Sequence, residues 1–156
     1  MTKLVSLDTS TTKTGWGLFI DGQYKLSGLL DCTASKKEER LHDMAAQIFI
    51  TLDTWMPEIV VVESVHVSRN MQTTRMLCEI IGVVRAWTII NGAAFYELSP
   101  SEWRKLVGIQ TSGRKRDEYK QLSVEFVKEN VTDKDISNDE ADAICVGLGY
   151  IKMFSE

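Results

Sequence analysis

The chain has 156 residues, 44% hydrophobic and 26% charged, with a formal net charge of -4. That length and apolar content suit a single domain (1–156) with one substantial core, and the negative balance argues against a uniformly basic polyanion-binding surface unless the acids are gathered at a metal site. Cys32, Cys78 and Cys145 are odd in number and lack any CxxC, and no apolar run has the length of a signal-peptide core or a membrane span, so the expectation is a cytoplasmic protein without disulfides, zinc or membrane contact.

Leu4-Val5-Ser6-Leu7-Asp8 is a near-continuous aliphatic run closed by an acid, the pattern of a central strand covered on both faces. Gly15–Ile20 and Gln23–Leu26 flank Asp21-Gly22, the dipeptide that suits a two-residue hairpin turn, so the first three strands form a meander. From Lys37 to Trp55, Leu41, Met44, Ala45, Ile48 and Leu52 recur at helical spacing, which gives a crossover helix ending near Pro57. The second acid-closed run, Ile59-Val60-Val61-Val62-Glu63, then lies parallel beside the first.

Asn70–Asn91 carries Leu77, Ile80, Ile81, Val84 and Trp87 on one helical face, and Gly82 in its interior suggests close helix packing. Ala94-Phe95-Tyr96 is a short strand, and Ser99-Pro100-Ser101-Glu102 is a capping box opening the helix to Val107. Gly108–Arg116 lacks periodicity and reads as a loop, and Asp117–Asn130 resumes helical spacing. A second capping box, Ser137-Asn138-Asp139-Glu140, starts the last helix towards Met153. The fold class is α/β, a mixed five-stranded sheet with helices on both faces.

Three acidic stations stand out: Asp8 and Glu63, each at a strand's carboxyl end, and Asp139 with Asp142 one turn apart at a helix N-terminus. Acids there add nothing to a core and are costly to desolvate alone, whereas the partial positive charge of a helix start tolerates two together. Carboxyl ends of parallel strands are where α/β folds bind ligands. Four carboxylates meeting there would hold two divalent ions for phosphodiester hydrolysis, Mg2+ or in its place Mn2+. Each acid alone is equally a turn residue or a cap, so the inference rests on the ordered set.

At these residues the chain resembles the RuvC family of Holliday-junction resolvases, within the ribonuclease H-like superfamily. Leu7-Asp8-Thr9-Ser10 through Thr14-Gly15-Trp16-Gly17 is similar to its opening strand and hairpin, and Val62-Glu63-Ser64-Val65 to its glutamate strand. Phe95-Tyr96-Glu97, Val107-Gly108-Ile109 and Asp139-Glu140-Ala141-Asp142-Ala143 resemble its later strand, pre-loop segment and terminal acidic helix. The resemblance implies a homodimeric, metal-dependent endonuclease acting on four-way DNA junctions, with Asp8, Glu63, Asp139 and Asp142 as ligands of two ions, and the departure at His66 extends the expectation to other branched DNA. It implies dimerisation through the Asn70–Asn91 helix, whose apolar face is otherwise internal core.

The resemblance further implies an electrostatic helper near the scissile phosphate, at Lys115 or its neighbours Arg114 and Arg116. Arg69, Asn70, Arg75, Lys105 and Lys120 are further DNA-contact candidates. Thr9-Ser10-Thr11 departs from the family's Pro-Gly-Ser-like turn, and His66 stands where the family has a junction-opening aromatic, leaving imidazole to stack on a base. The expected site of action is the cytoplasm, the host's if the gene belongs to a phage. The alternatives are a non-catalytic junction-binding module and an actin- or sugar-kinase-like phosphotransferase. Against the latter, Asp8-Thr9-Ser10-Thr11-Thr12 lacks a phosphate-binding glycine and the chain has no room for a second nucleotide-clasping domain.

Overall fold

The first apolar run becomes β1 (Lys3–Asp8), and it occupies the middle of the sheet in the computed structural model, which describes residues 1–155. With β2 (Lys13–Ile20), β3 (Gln23–Asp31), β4 (Ile59–Glu63) and β5 (Ala94–Leu98), the spatial order is β3-β2-β1-β4-β5. β1 pairs antiparallel with β2 and parallel with β4, and β4 pairs parallel with β5. The hairpin turns at Asp21 and Gly22, both at positive φ (51° and 77°), as a two-residue turn between right-twisted strands requires.

β3 runs five residues past the expected Leu26. Ser27-Gly28 reads as a breaker in sequence, yet Gly28 lies flat against the Trp16 indole, where a Cβ would come within 2.6 Å of Nε1. A strand glycine here permits a close approach and does not end the strand.

Helices cover both faces. α1 (Lys37–Trp55) and α2 (Met71–Asn91) bury Met44, Ile48, Leu52, Ile80, Val84 and Trp87 against Val5, Leu7, Val60 and Val62. α3 (Pro100–Val107), α4 (Glu118–Asn130) and α5 (Asn138–Met153) bury Trp103, Val107, Val127, Ile144 and Val146 against Leu4, Phe19 and Val61. Alternation along β1 and β4 thus assigns one parity of side chains to each layer.

α5 lies close on the sheet because small residues face each other. The Ser6 hydroxyl donates to the Ala143 carbonyl at 2.6 Å, and a Cβ on Gly147 would come within 2.9 Å of Ser6 Oγ. No helix among the described residues is long and apolar enough to cross a membrane.

Two local expectations are corrected. Ser137 accepts from the Glu140 amide at 3.2 Å, but the Glu140 carboxylate accepts from Ser27 Oγ at 3.1 Å, so it ties α5 to β3 instead of closing the box. Gly82 is exposed, and a Cβ built there meets nothing within 4 Å, so within the protomer it serves no close packing.

Candidate active site

Asp8 follows Leu4 and Ser6 on the α5 side of β1, and Glu63 follows Ile59 and Val61 on the same side of β4. The parallel register pairs Leu7 with Val62, so the two acids are the next step on neighbouring strands. α5 begins directly over this edge with Asp139 in its first turn and Asp142 one turn on. The hydroxyl-rich turn after Asp8 is held by its own side chains. Ser10 Oγ accepts from the amides of Thr12 (3.1 Å) and Lys13 (3.3 Å), and Thr14 Oγ1 donates to the Ser10 carbonyl at 3.1 Å.

The acids are near enough to act on one another's ionisation. Burial, and then the charges of Glu63, Asp142 and Asp139, push the Asp8 carboxyl well above the usual range, against the opposing pull of Lys120. Burial raises Glu63 to about 7, with Asp142 adding to the rise and Trp103 and Arg104 opposing it. Asp142 is raised to about 6 by burial and by Asp139, opposed by Ser123, Arg104 and Lys120. Asp8 is the carboxylate that feels all three others.

Hard oxygen donors crowded enough to raise one another's affinity for protons are the chemistry a divalent cation relieves. Asp142 Oδ1 is buried near the Ser123 hydroxyl without a well-formed hydrogen bond between them, which leaves an acceptor with capacity for a cation. The donor set therefore fits Mg2+ or Mn2+. Among the described residues, no three His, Cys, Asp or Glu side chains already stand in a closed metal-ligating geometry, so ligation would draw these carboxylates inward.

The cationic candidates are less tightly grouped. Lys115, Arg114 and Arg116 lie in the exposed loop before α4, whereas the lysine whose charge reaches Asp8 and Asp142 is Lys120, in the first turn of α4. Lys105 is exposed on α3, and its neighbour Arg104 acts on Glu63 and Asp142. The Arg104 guanidinium is stacked between the Trp103 and Tyr119 rings, 4.8 Å and 4.9 Å from their centroids. His66 and Arg69 are exposed on the connection from β4 to α2. Asn70 caps α2, its Oδ1 accepting from Gln72 and Thr73, and Arg75 pairs with Glu79 at 3.2 Å on the helix surface.

Sequence reasoning missed Arg104 as a site residue, and it missed Trp103, whose indole N–H donates to Glu63 Oε2 at 2.7 Å. Helical periodicity marks one as surface and the other as core, and neither label reports what stands across the gap. Two hollows lie beside these residues, one reaching Arg104 and the other Asp139. One of about 460 Å³ is bounded by Arg104, Lys105, Thr111, Ser112 and Tyr119, and one of about 720 Å³ by Lys13, Lys128, Lys134 and Asp139.

The fold is shared with T. thermophilus RuvC solved in complex with a Holliday junction substrate, at a TM-score of 0.75 and 16% identity, covering 98% of this chain and 97% of that one. The yeast mitochondrial Holliday junction resolvase Ydc2 aligns at a TM-score of 0.64 and 12% identity, covering 97% and 78%. In sequence, RuvC proteins of Nitratidesulfovibrio vulgaris and Chlorobaculum parvum are 30% and 27% identical over 111 and 117 residues. The aligned segments are 67% and 72% of this chain and span 66% and 63% of those relatives. The family model described as crossover junction endodeoxyribonuclease RuvC matches residues 4–150, and the chain belongs to that family.

Proposed function

We propose that this protein is a metal-dependent endonuclease that hydrolyses phosphodiester bonds in four-way DNA junctions, acting as a homodimer in the cytoplasm. The observation that carries this reading is the convergence of Glu63, Asp139 and Asp142 on Asp8 at the carboxyl edge of a parallel strand pair. Two magnesium or manganese ions held by these acids would activate the attacking water and stabilise charge on the departing 3′ oxygen. The protein's own part is to hold the carboxylates close enough that a cation displaces their protons, with Lys120 and Arg104 favouring the ionised forms.

A net charge of -4 is compatible with DNA because binding needs cations only where the backbone passes, and among the described residues the hollow bounded by Arg104 and Lys105 has no acid in its lining. The other hollow mixes Lys13, Lys128 and Lys134 with Glu125, Asp133, Asp135 and Asp139, and Arg69, Arg114, Lys115 and Arg116 are exposed on loops. The T. thermophilus relative's junction substrate supports the four-way junction as the ligand. His66, with the neighbouring Val67 72% exposed, is suited to stack on an unpaired base.

For the dimer, α2 carries an outward stripe of Met71, Arg75, Cys78, Gly82, Ala86 and Ile89, all exposed in the protomer. A second copy laid along that stripe would cover Met71 and Ile89, now 71% and 74% exposed, and would give Gly82 the close neighbour it lacks.

The test is strand cleavage of a synthetic four-way junction in Mg2+ or Mn2+ by the wild type, Asp8→Asn and Asp142→Asn. Cutting by the wild type alone, with junction binding retained in the variants, is the expected result. Binding without cutting by the wild type would instead favour a non-catalytic junction-binding module.

A further inference from the structure

We propose that Trp103 is a positioning residue for Glu63, holding one carboxylate oxygen so that the other is presented to a divalent cation. The inference rests on the metal-dependent reading above and assigns a role in it to a side chain outside the acidic set. Trp103 is fully buried, and its Nε1–H donates to Glu63 Oε2 at 2.7 Å. Among the described residues, Oε1 of the same carboxylate has no protein donor.

Donor and acceptor are mounted on one frame. Glu63 pairs with Leu98 in the parallel ladder, and the Ser64 amide donates to the Leu98 carbonyl at 2.9 Å. One residue on, Ser99 and Glu102 close a capping box that fixes the first turn of α3, and Trp103 follows directly. From the other side Gly149 of α5 packs on Trp103 so closely that a Cβ there would lie 3.1 Å from the Trp103 Cβ. Arg104 stacks on the ring's face.

The chemistry of the donor matters as much as its placement. An indole N–H donates only, so it cannot ligate a cation or compete with the carboxylate for one. It does not titrate near neutrality, so the bond persists over the working pH range. The ring shields one side of the carboxylate from water, while a single donor leaves the second oxygen's lone pairs for an ion. Groups that orient a metal-ligating side chain in this way typically change metal affinity by about 10–100-fold when lost.

The experiment compares Trp103→Phe with Trp87→Phe. Trp87 makes the same kind of bond in the opposite layer, donating Nε1–H to Asp53 Oδ1 at 2.7 Å, and is equally buried. Mn2+ alone is titrated into DNA-free protein, with binding read from loss of the free-ion electron paramagnetic resonance signal. Half-saturating Mn2+ is measured in parallel by single-turnover junction cleavage. Trp103→Phe is expected to weaken Mn2+ binding and raise the half-saturating concentration by about tenfold or more, with the rate at saturating metal recovering to within a few-fold. Trp87→Phe should lose stability while leaving both metal readouts unchanged.

Equal Mn2+ binding by the two variants would overturn the role of Trp103 and leave the nuclease reading intact. A wild type that binds no Mn2+ would overturn both. Should Trp103→Phe fail to fold, the indole 15N–1H resonances of the wild type decide the matter, with Trp103 assigned by elimination using Phe variants of Trp16, Trp55 and Trp87. The Trp103 signal must shift as Mg2+ is added while the Trp87 signal stays; a Trp103 signal unmoved at saturating Mg2+ overturns the proposal.

Discussion

Gly15 of β2 lies directly beneath the backbone of Asp139, so that a Cβ on Gly15 would overlap the Asp139 carbonyl and come within 2.7 Å of the Glu140 amide nitrogen. The contact sets the height of the α5 N-terminus above the sheet and with it the distance from Asp139 to Asp8.

Gly15→Ala should therefore act on activity and stability together. Gly15 is not among the glycines at positive φ, so alanine meets only the steric conflict, which is relieved by lifting the start of α5. Overpacking of this kind costs about 1–3 kcal/mol. The expected outcome is a lowered melting temperature in a protein that still folds. Metal-dependent cleavage falls further than stability predicts, as read by thermal denaturation alongside single-turnover kinetics. Unchanged cleavage would show that α5 does not need this seat.

The pH dependence of stability follows from the raised carboxyls. Glu63 and Asp142, at about 7 and about 6 in the folded protein, have ordinary values of 4.5 and 3.8. Between the ordinary and raised values the native state holds protons that the unfolded state has released, so native stability falls as pH rises across that window, from about 4 to about 7. Metal-free protein should thus melt at a lower temperature at pH 7.5 than at pH 5. Added Mg2+ should restore the loss, with a gain that grows with pH because protons compete with the ion for the same oxygens. A melting temperature independent of pH with and without Mg2+ would contradict the clustering.

Asp8→Asn tests the centre of the cluster from the opposite direction. Asp8 stands beside three other acids, so removing its charge relieves repulsion and should raise the melting temperature of the metal-free protein at neutral pH. Cleavage should fall by about a hundredfold or more, the scale of losing a preorganised group at a reacting centre. Destabilisation of the metal-free protein would mean that Asp8 is tied into the fold by a contact other than its acidic neighbours.

How much of this was legible in the chain depends on the scale of the signal. The acid-closed strands, the Asp21-Gly22 hairpin and the Lys37–Trp55 helix are written in local chemistry and periodicity, and the structure follows them. Parity then places Asp8 and Glu63 on one side of the sheet, because an acid two residues after Ser6 or Val61 must share that residue's face. Trp103, Arg104 and the second half of β3 were hidden because each depends on what packs across from it: Glu63, the carboxylates and the Trp16 ring. The choice among lysines was hidden for a different reason. A loop of unknown path separates Val107 from α4, and neither spacing nor composition reveals which basic residue emerges beside the acids.

Lys115 and Lys120 should consequently separate in kinetics. Lys120 acts on Asp8 and Asp142 from α4, whereas Lys115 sits in the exposed loop. Lys120→Ala should lower the single-turnover rate by about 10²–10³ with little change in junction affinity. Lys115→Ala should mainly weaken binding, reducing the salt dependence by about one phosphate contact. A larger rate loss at Lys115 would instead make it the helper beside the scissile phosphate, carried inward by the loop when DNA binds.

Gly82 offers the sharpest test of the dimer because its two roles have opposite signs. Within the protomer the position is open, and glycine in a helix interior costs roughly 1 kcal/mol relative to better helix formers. Gly82→Lys should therefore leave the isolated protomer as stable or slightly more so. If copies pair along α2, however, a lysine at the middle of the outward stripe places two charges and two long side chains where the helices must approach. The variant should elute as a monomer in light scattering coupled to gel filtration and lose paired incision of a four-way junction, while keeping its far-ultraviolet circular dichroism and melting transition. A Gly82→Lys protein that stays dimeric would place the subunit contact elsewhere on the surface and leave the exposed Met71, Ile89 and Cys78 without that explanation.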